Sequence, residues 1–193
     1  MFRVVLKSLT AGAACLGLAG GPVLAQAPGG LIYTVVVPAG EFGSAAFLSE
    51  LLSTLAAAKA FCSSTGDSSL QVDCLSERLE AAADGIPNGT DYEEVREVLQ
   101  DTSQQLKRLA RQNRDPNRGR VTVTSSTDQA QKTNRPLIPV RASAQAEVNR
   151  EAAKMFEEAG KVLLRSAEAA QERQTQYAQI AAAIDSNKVL LRS

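Results

Sequence analysis

Few residues of this chain have the type and spacing to carry chemistry. Cys62 and Cys74 stand in a helical region with eleven residues between them, while the third cysteine, Cys15, falls in an apolar N-terminal run. Two thiols in an exported chain are most simply joined as a disulfide. The loop closed by such a bond is short, and the chain-entropy model assigns it about 3 kcal/mol. A redox-active pair instead wants the closer C-x-x-C spacing and a depressed thiol pKa, and neither is present in the sequence.

The remaining catalytic inventory is thin. The chain has no histidine, which removes Ser-His and Cys-His nucleophile pairs and histidine metal ligands. None of the lysines has a serine three places before it, so the S-x-x-K pattern is missing. Adjacent carboxylates occur at Glu93-Glu94 and Glu157-Glu158, but helix neighbours point about 100° apart and do not converge. No Gly-rich phosphate cradle or calcium loop is found. The expectation is a non-enzymatic protein with no catalytic, metal or cofactor site.

One concentration of charge stands out. Lys107, Arg108, Arg111, Arg114, Arg118 and Arg120 lie within 14 residues, with Asp115 the single acid among them. The helix macrodipole favours cations at a C-terminal end and explains the first three. It does not explain Arg114, Arg118 and Arg120, so the run is a candidate patch for an anionic partner: lipid headgroups, an acidic protein face or an envelope polymer. No aromatic side chain is interleaved, which argues against nucleic acid.

The elements that must position these residues begin with a leader. Arg3 and Lys7 are the only charges in residues 1–25, Ser8 to Leu24 is apolar or small, and Val23-Leu24-Ala25 fits a small-x-small cleavage site. Residues 1–25 therefore read as a signal peptide cleaved after Ala25, with an uncleaved membrane anchor as the rival. Cleavage leaves 168 of 193 residues, with 19 of the 21 bases against 21 acids, a net charge of −2. That length suffices for one domain with a sizeable core. Aromatics make up 4%, and a core of Ala, Leu and Val in an Ala-rich chain points to helices on helices.

Residues 26–43 read as a tail with a strand candidate at Leu31–Val37, to be paired with a second candidate at Arg120–Thr124. Residues 44–113 read as three helices. Phe47, Leu48, Leu51, Leu52, Leu55, Ala58 and Cys62 make one face of the first. A capping box of Ser68 and Gln71 opens the second, which buries Val72, Leu75, Leu79 and Ala82. Another box, Thr90 with Glu93, opens the third, which runs from Asp91 to Asn113 and buries Tyr92, Val95, Leu99, Thr102, Leu106 and Leu109. Asn88-Gly89-Thr90 also fits a glycosylation acceptor, but turn geometry accounts for it. Residues 114–141 lose periodicity and read as a polar linker and hinge.

Residues 142–193 are expected to hold one long helix, about Ser143–Ile184. Its stripe is Val148, Ala152, Met155, Ala159, Leu163, Ala167, Ala170, Gln174, Tyr177, Ala181 and Ile184. The 3.6-residue period suits a straight helix, with Glu157–Lys161 paired outside. Either it breaks near Gly160, wraps the bundle, or meets another chain. Tyr177, Ile180, Ile184 and Val189 to Leu191 are then either a partner strip or core. The fold class is all-α: a disulfide-stapled hairpin, a third helix and a long C-terminal helix, with at most a two-stranded β addition. The expected function is an exported interaction or scaffold protein of the bacterial cell envelope, periplasmic or secreted, partnering another envelope protein or itself. The alternative is a small-ligand carrier with a groove between helices and residues 114–141 as its lid.

Overall fold

A computed structural model describes residues 45–125, 131–168 and 173–192. The leader, the tail and the strand candidate Leu31–Val37 lie outside the described residues. Within them the fold is all-α. Five helices, α1 (Ala45–Ser63), α2 (Gln71–Asp84), α3 (Glu93–Gln112), α4 (Gln145–Glu168) and α5 (Gln174–Asp185), are joined by short 3-10 turns at Ser68–Leu70 and Ala142–Ala144. Each helix lies against the next in sequence, and α5 returns to α1, so the five close into a ring. A 3-10 tail, Ser186–Arg192, contacts α1, α2, α4 and α5 and buries Asn187 and Leu191 among them.

The first two helices form as the periodicity predicts. Phe47, Leu51, Leu55, Ala58 and Cys62 are buried on α1, and Val72, Leu75, Leu79 and Ala82 on α2. Cys62 and Cys74 are bonded across the turn, with Cα atoms 5.7 Å apart and both side chains fully buried. The entry to α2 differs from the capping-box expectation. Asp67, not Ser68, caps the turn: its Oδ1 accepts from the Ser69 amide at 3.0 Å and the Ser69 hydroxyl at 2.6 Å. Ser68–Leu70 then make one 3-10 turn and α2 proper starts at Gln71. An aspartate before the turn accepts both bonds at once, so the serine's weaker acceptor is not needed.

The next turn is bent by Gly89, whose φ of 71° is a left-handed conformation that glycine adopts without a Cβ penalty. Around it the second box is present but shifted. The Thr90 hydroxyl accepts from the Tyr92 amide, and Glu93 reaches back to the Gly89 amide rather than that of Thr90. Between α2 and α3, Ser76 and Ser103 exchange hydroxyl-to-carbonyl bonds of 2.9 and 2.7 Å. Two small buried side chains thus let these helices approach closely and satisfy their own polar atoms.

Two larger corrections concern the second half. The expected single long helix is two helices: α4 ends at Glu168 and α5 begins at Gln174, and Gly160 lies inside α4 rather than at a break. α5 folds back antiparallel on α4, so Leu164 faces Ala178, and Glu157 meets Lys188 at 3.5 Å. The predicted Glu157–Lys161 pair gives way to Lys161–Glu158 at 2.7 Å. Gly160 is the crossing point: a Cβ there would stand 3.7 Å from the Ala181 carbonyl. Phe156, not Met155, is the fully buried member of that turn. Tyr177, Ile180, Ile184 and Leu191 are core, while Val189 is exposed.

The second correction is to the linker. Its described residues are not a hinge but a strap folded onto α2, burying Val123, Leu137, Ile138 and Val140. Arg120–Thr124 pairs within this strap, through single antiparallel bridges Val121–Leu137 and Thr124–Lys132, with a third at Arg114–Val140. Among the described residues these bridges do not extend into strands. Pro136 and Pro139 lack amide donors, which limits how far a ladder can run.

Candidate functional site

The strap is held down by a cluster of charge that forms the most heavily built polar site of the described molecule. α2 carries Asp73, Ser76, Glu77 and Glu80 at three- and four-residue spacing, one face of a helix. Asp73 is wholly buried. Arg135 grips it with two guanidinium nitrogens, at 2.6 and 2.9 Å, and the Ile138 amide donates to Oδ2 at 2.7 Å. The same guanidinium donates to the Ser76 hydroxyl at 3.2 Å. Fork-shaped pairing of this kind is what arginine supplies and lysine does not.

Glu77 extends the cluster. Its Oε1 accepts from the Asn134 amide at 2.8 Å and its Oε2 lies 2.9 Å from Arg78 Nε. Arg78 in turn donates to the Lys132 carbonyl at 2.7 Å and lies over the Phe61 ring, 4.0 Å from its centre. Burial pushes the Glu77 carboxyl above its ordinary range, and the Asn134 amide, Arg78 and Arg135 offset this only in part. Glu80 completes the rim, 3.3 Å from Lys107 and 3.8 Å from Arg135. Two buried carboxylates converge here, yet each is occupied by a cation and a backbone amide. Chemically the arrangement is a latch, in which Glu77 Oε2 lies 2.9 Å from Arg78 Nε as an ion pair but accepts no hydrogen bond from any described group.

None of Asp73, Glu77 or Arg135 was a sequence candidate. The signal lay in α2 itself, where the polar stripe Asp73, Ser76, Glu77 and Glu80 repeats at the same spacing as its apolar one. A helix with two periodic faces has two neighbours. The identity of the second neighbour is tertiary information, because Arg135 lies 62 residues away.

The cationic run is divided by the fold. Lys107 is taken by Glu80, and Arg118 by Asp67 at 2.6 Å and the Ser69 hydroxyl at 2.7 Å. Burial alone would raise the Asp67 carboxyl, but Arg118 and the two bonds from Ser69 outweigh it and hold it below its usual value. Arg108, Arg111, Arg114 and Arg120 remain exposed, with no side-chain bond among the described residues. Arg141 joins them: its amide donates to the Asn113 carbonyl at 3.0 Å and its guanidinium to the Asn113 side chain at 3.2 Å.

Two concavities stand out among the described residues. A surface groove of about 350 Å³ between α4 and α5 is lined by Glu157, Gly160, Lys161, Leu164, Ala178 and their neighbours. A pocket of about 40 Å³ lies between α1 and the end of α2. No residue of 114–141 borders either one. No protein-family model, curated protein or solved structure matches this chain.

Proposed function

We propose that this chain is an exported, non-enzymatic interaction or scaffold protein of a bacterial cell envelope, periplasmic or secreted after cleavage at Ala25. The observation that carries the reading is the fully buried Cys62–Cys74 bridge. Such bonds persist in oxidising compartments and are rare in reducing ones, and the N-terminal leader supplies the route there. A compact, ring-closed bundle whose buried acids serve to hold its own strap is suited to presenting surfaces rather than turning over substrate. Fractionation of the source cells tests this. The expected product is a chain beginning at Gln26, outside the cytoplasm, with both thiols blocked to alkylation and captured on neighbours by in-cell crosslinking. A cytoplasmic chain retaining Met1 with two free thiols overturns it.

The second reading, a small-ligand carrier, is favoured by one observation, the groove between α4 and α5 with its floor of Gly160, Ala178, Ala181 and Ala182. It expects a co-purifying small molecule in native mass spectrometry. Bare polypeptide there, together with a protein crosslinked in cells, decides for the first reading.

A further inference from the structure

We propose that Arg108, Arg111, Arg114, Arg120 and Arg141 form a docking face for an acidic membrane surface. The proposal deepens the envelope reading and rests on it for its setting. Its first support is how the fold divides the cations. The two members of the sequence run with structural work, Lys107 and Arg118, are drawn off by Glu80 and Asp67. Those left over are all arginines, all exposed, and the strap adds Arg141 beside Asn113.

Arg108 and Arg111 are one turn apart on α3, so their guanidinium groups stand side by side on one face of the helix end. Arg114 follows at once and bridges to Val140, next to Arg141. The one acid in the run, Asp115, accepts the Asn117 amide at 2.9 Å and acts on Arg118, which Asp67 already holds. Residues 131–141 contribute no acid at all. A body of net charge −2 thus carries a run of unpaired arginines at the C-terminal end of α3 and the loop that follows it.

The shape selects the partner. These arginines border neither cavity, and they sit on a helix end and loops rather than in a cleft. Exposed guanidinium groups on a helix end and its following loops can meet a flat array of phosphates several at a time. Guanidinium forks bind phosphate oxygens two at a time. No large apolar side chain belongs to the patch, so the contact is peripheral and electrostatic rather than inserted. Each arginine then multiplies the partition onto an anionic bilayer roughly fivefold, and salt weakens the whole.

The test is co-sedimentation of the purified, disulfide-bonded protein with vesicles of phosphatidylcholine alone or mixed equally with phosphatidylglycerol. Binding is expected only to the mixed vesicles, and it is expected to fall steeply with added salt. Arg108→Glu, Arg111→Glu and Arg114→Glu together should lower the partition by about a hundredfold or more. Lys161→Glu, Arg165→Glu and Arg192→Glu, exposed positions away from the end of α3 with the same change in net charge, should lower it far less. If the triple variant does not fold, the single changes to Gln at Arg108, Arg111 and Arg114 read the same effect at roughly fivefold each. No binding to mixed vesicles, equal binding to neutral ones, or an equal loss in the control variant overturns the proposal. So does dextran sulfate held more tightly than the vesicles, which would assign the face to a soluble polyanion. The assay uses isolated protein and lipid, so its failure leaves the fractionation and crosslinking result untouched.

Discussion

At the scale of single residues, the latch sets the most demanding constraints. Asp73 is buried with its charge answered by Arg135 and the Ile138 amide. Removing one partner of such a pair strands the other, and that is where the cost lies. Arg135→Ala is expected to lower unfolding stability by about 3 kcal/mol, read as a drop in the urea midpoint. Arg135→Lys should recover little, because an ammonium cannot span both Asp73 oxygens. Glu77 behaves oppositely. Its carboxyl is pushed up by burial, so the folded protein holds that proton more tightly than the unfolded chain does. Stability from this group is therefore greatest in acid and declines as pH rises from the ordinary glutamate range through the raised folded value. Glu77→Gln keeps an acceptor for the Asn134 amide and should flatten that part of the pH–stability profile. A variant with the wild-type slope would show that another carboxyl is responsible.

At the scale of elements, the staple and the crossing of α4 by α5 can be probed separately. Replacing Cys62 and Cys74 together by Ala releases a loop constraint worth about 3 kcal/mol. For a chain of this size that is a fall in melting temperature of roughly 10 °C. The α2–α3 contact and the latch do not pass through the sulfurs, so the helical circular dichroism of the variant should survive. Gly160 is helical, and a Cβ there would make an ordinary contact with the Ala181 carbonyl oxygen at 3.7 Å. Gly160→Ala should accordingly be neutral or stabilising by up to about 1 kcal/mol, the usual helix-propensity gain. Thermal unfolding checks this, and a clear fall in melting temperature would mean that α5 cannot accept even a methyl at this crossing.

At the scale of the whole molecule, the ring order α1 to α5 and the tail within it make the chain one cooperative body over its described residues. The strap belongs to that body. Hydrogen exchange should find residues 132–140 protected to nearly the same degree as α2, because they share Asp73 and Glu77. Exchange there as fast as at an exposed loop would mean that the latch opens independently. The tail should behave likewise, since Asn187 is fully buried and its amide donates to the Ala183 and Ile184 carbonyls. Truncation before Ser186 is expected to lower the melting temperature.

The amino-acid order alone determined whatever depends on near neighbours. The α1 and α2 faces, the Cys62–Cys74 staple, the places where α2 and α3 begin, and an all-α core were legible because periodicity, turn residues and a short loop act within a few turns of chain, whereas the cap of the α2 entry is Asp67 and not the expected Ser68. Tertiary structure decided what depends on distant partners. The last apolar stripe keeps one 3.6-residue period from Val148 to Ile184, and periodicity cannot see that α5 turns back, because both halves bury the same face. A Pro- and Ser-rich stretch looked like linker because its buried residues, Leu137, Ile138 and Val140, are too few to make a pattern. Its anchor is a charge on α2, and a charge pair across 62 residues has no local signature. The cationic run could be counted from the sequence, but only the fold shows which of its members remain uncommitted.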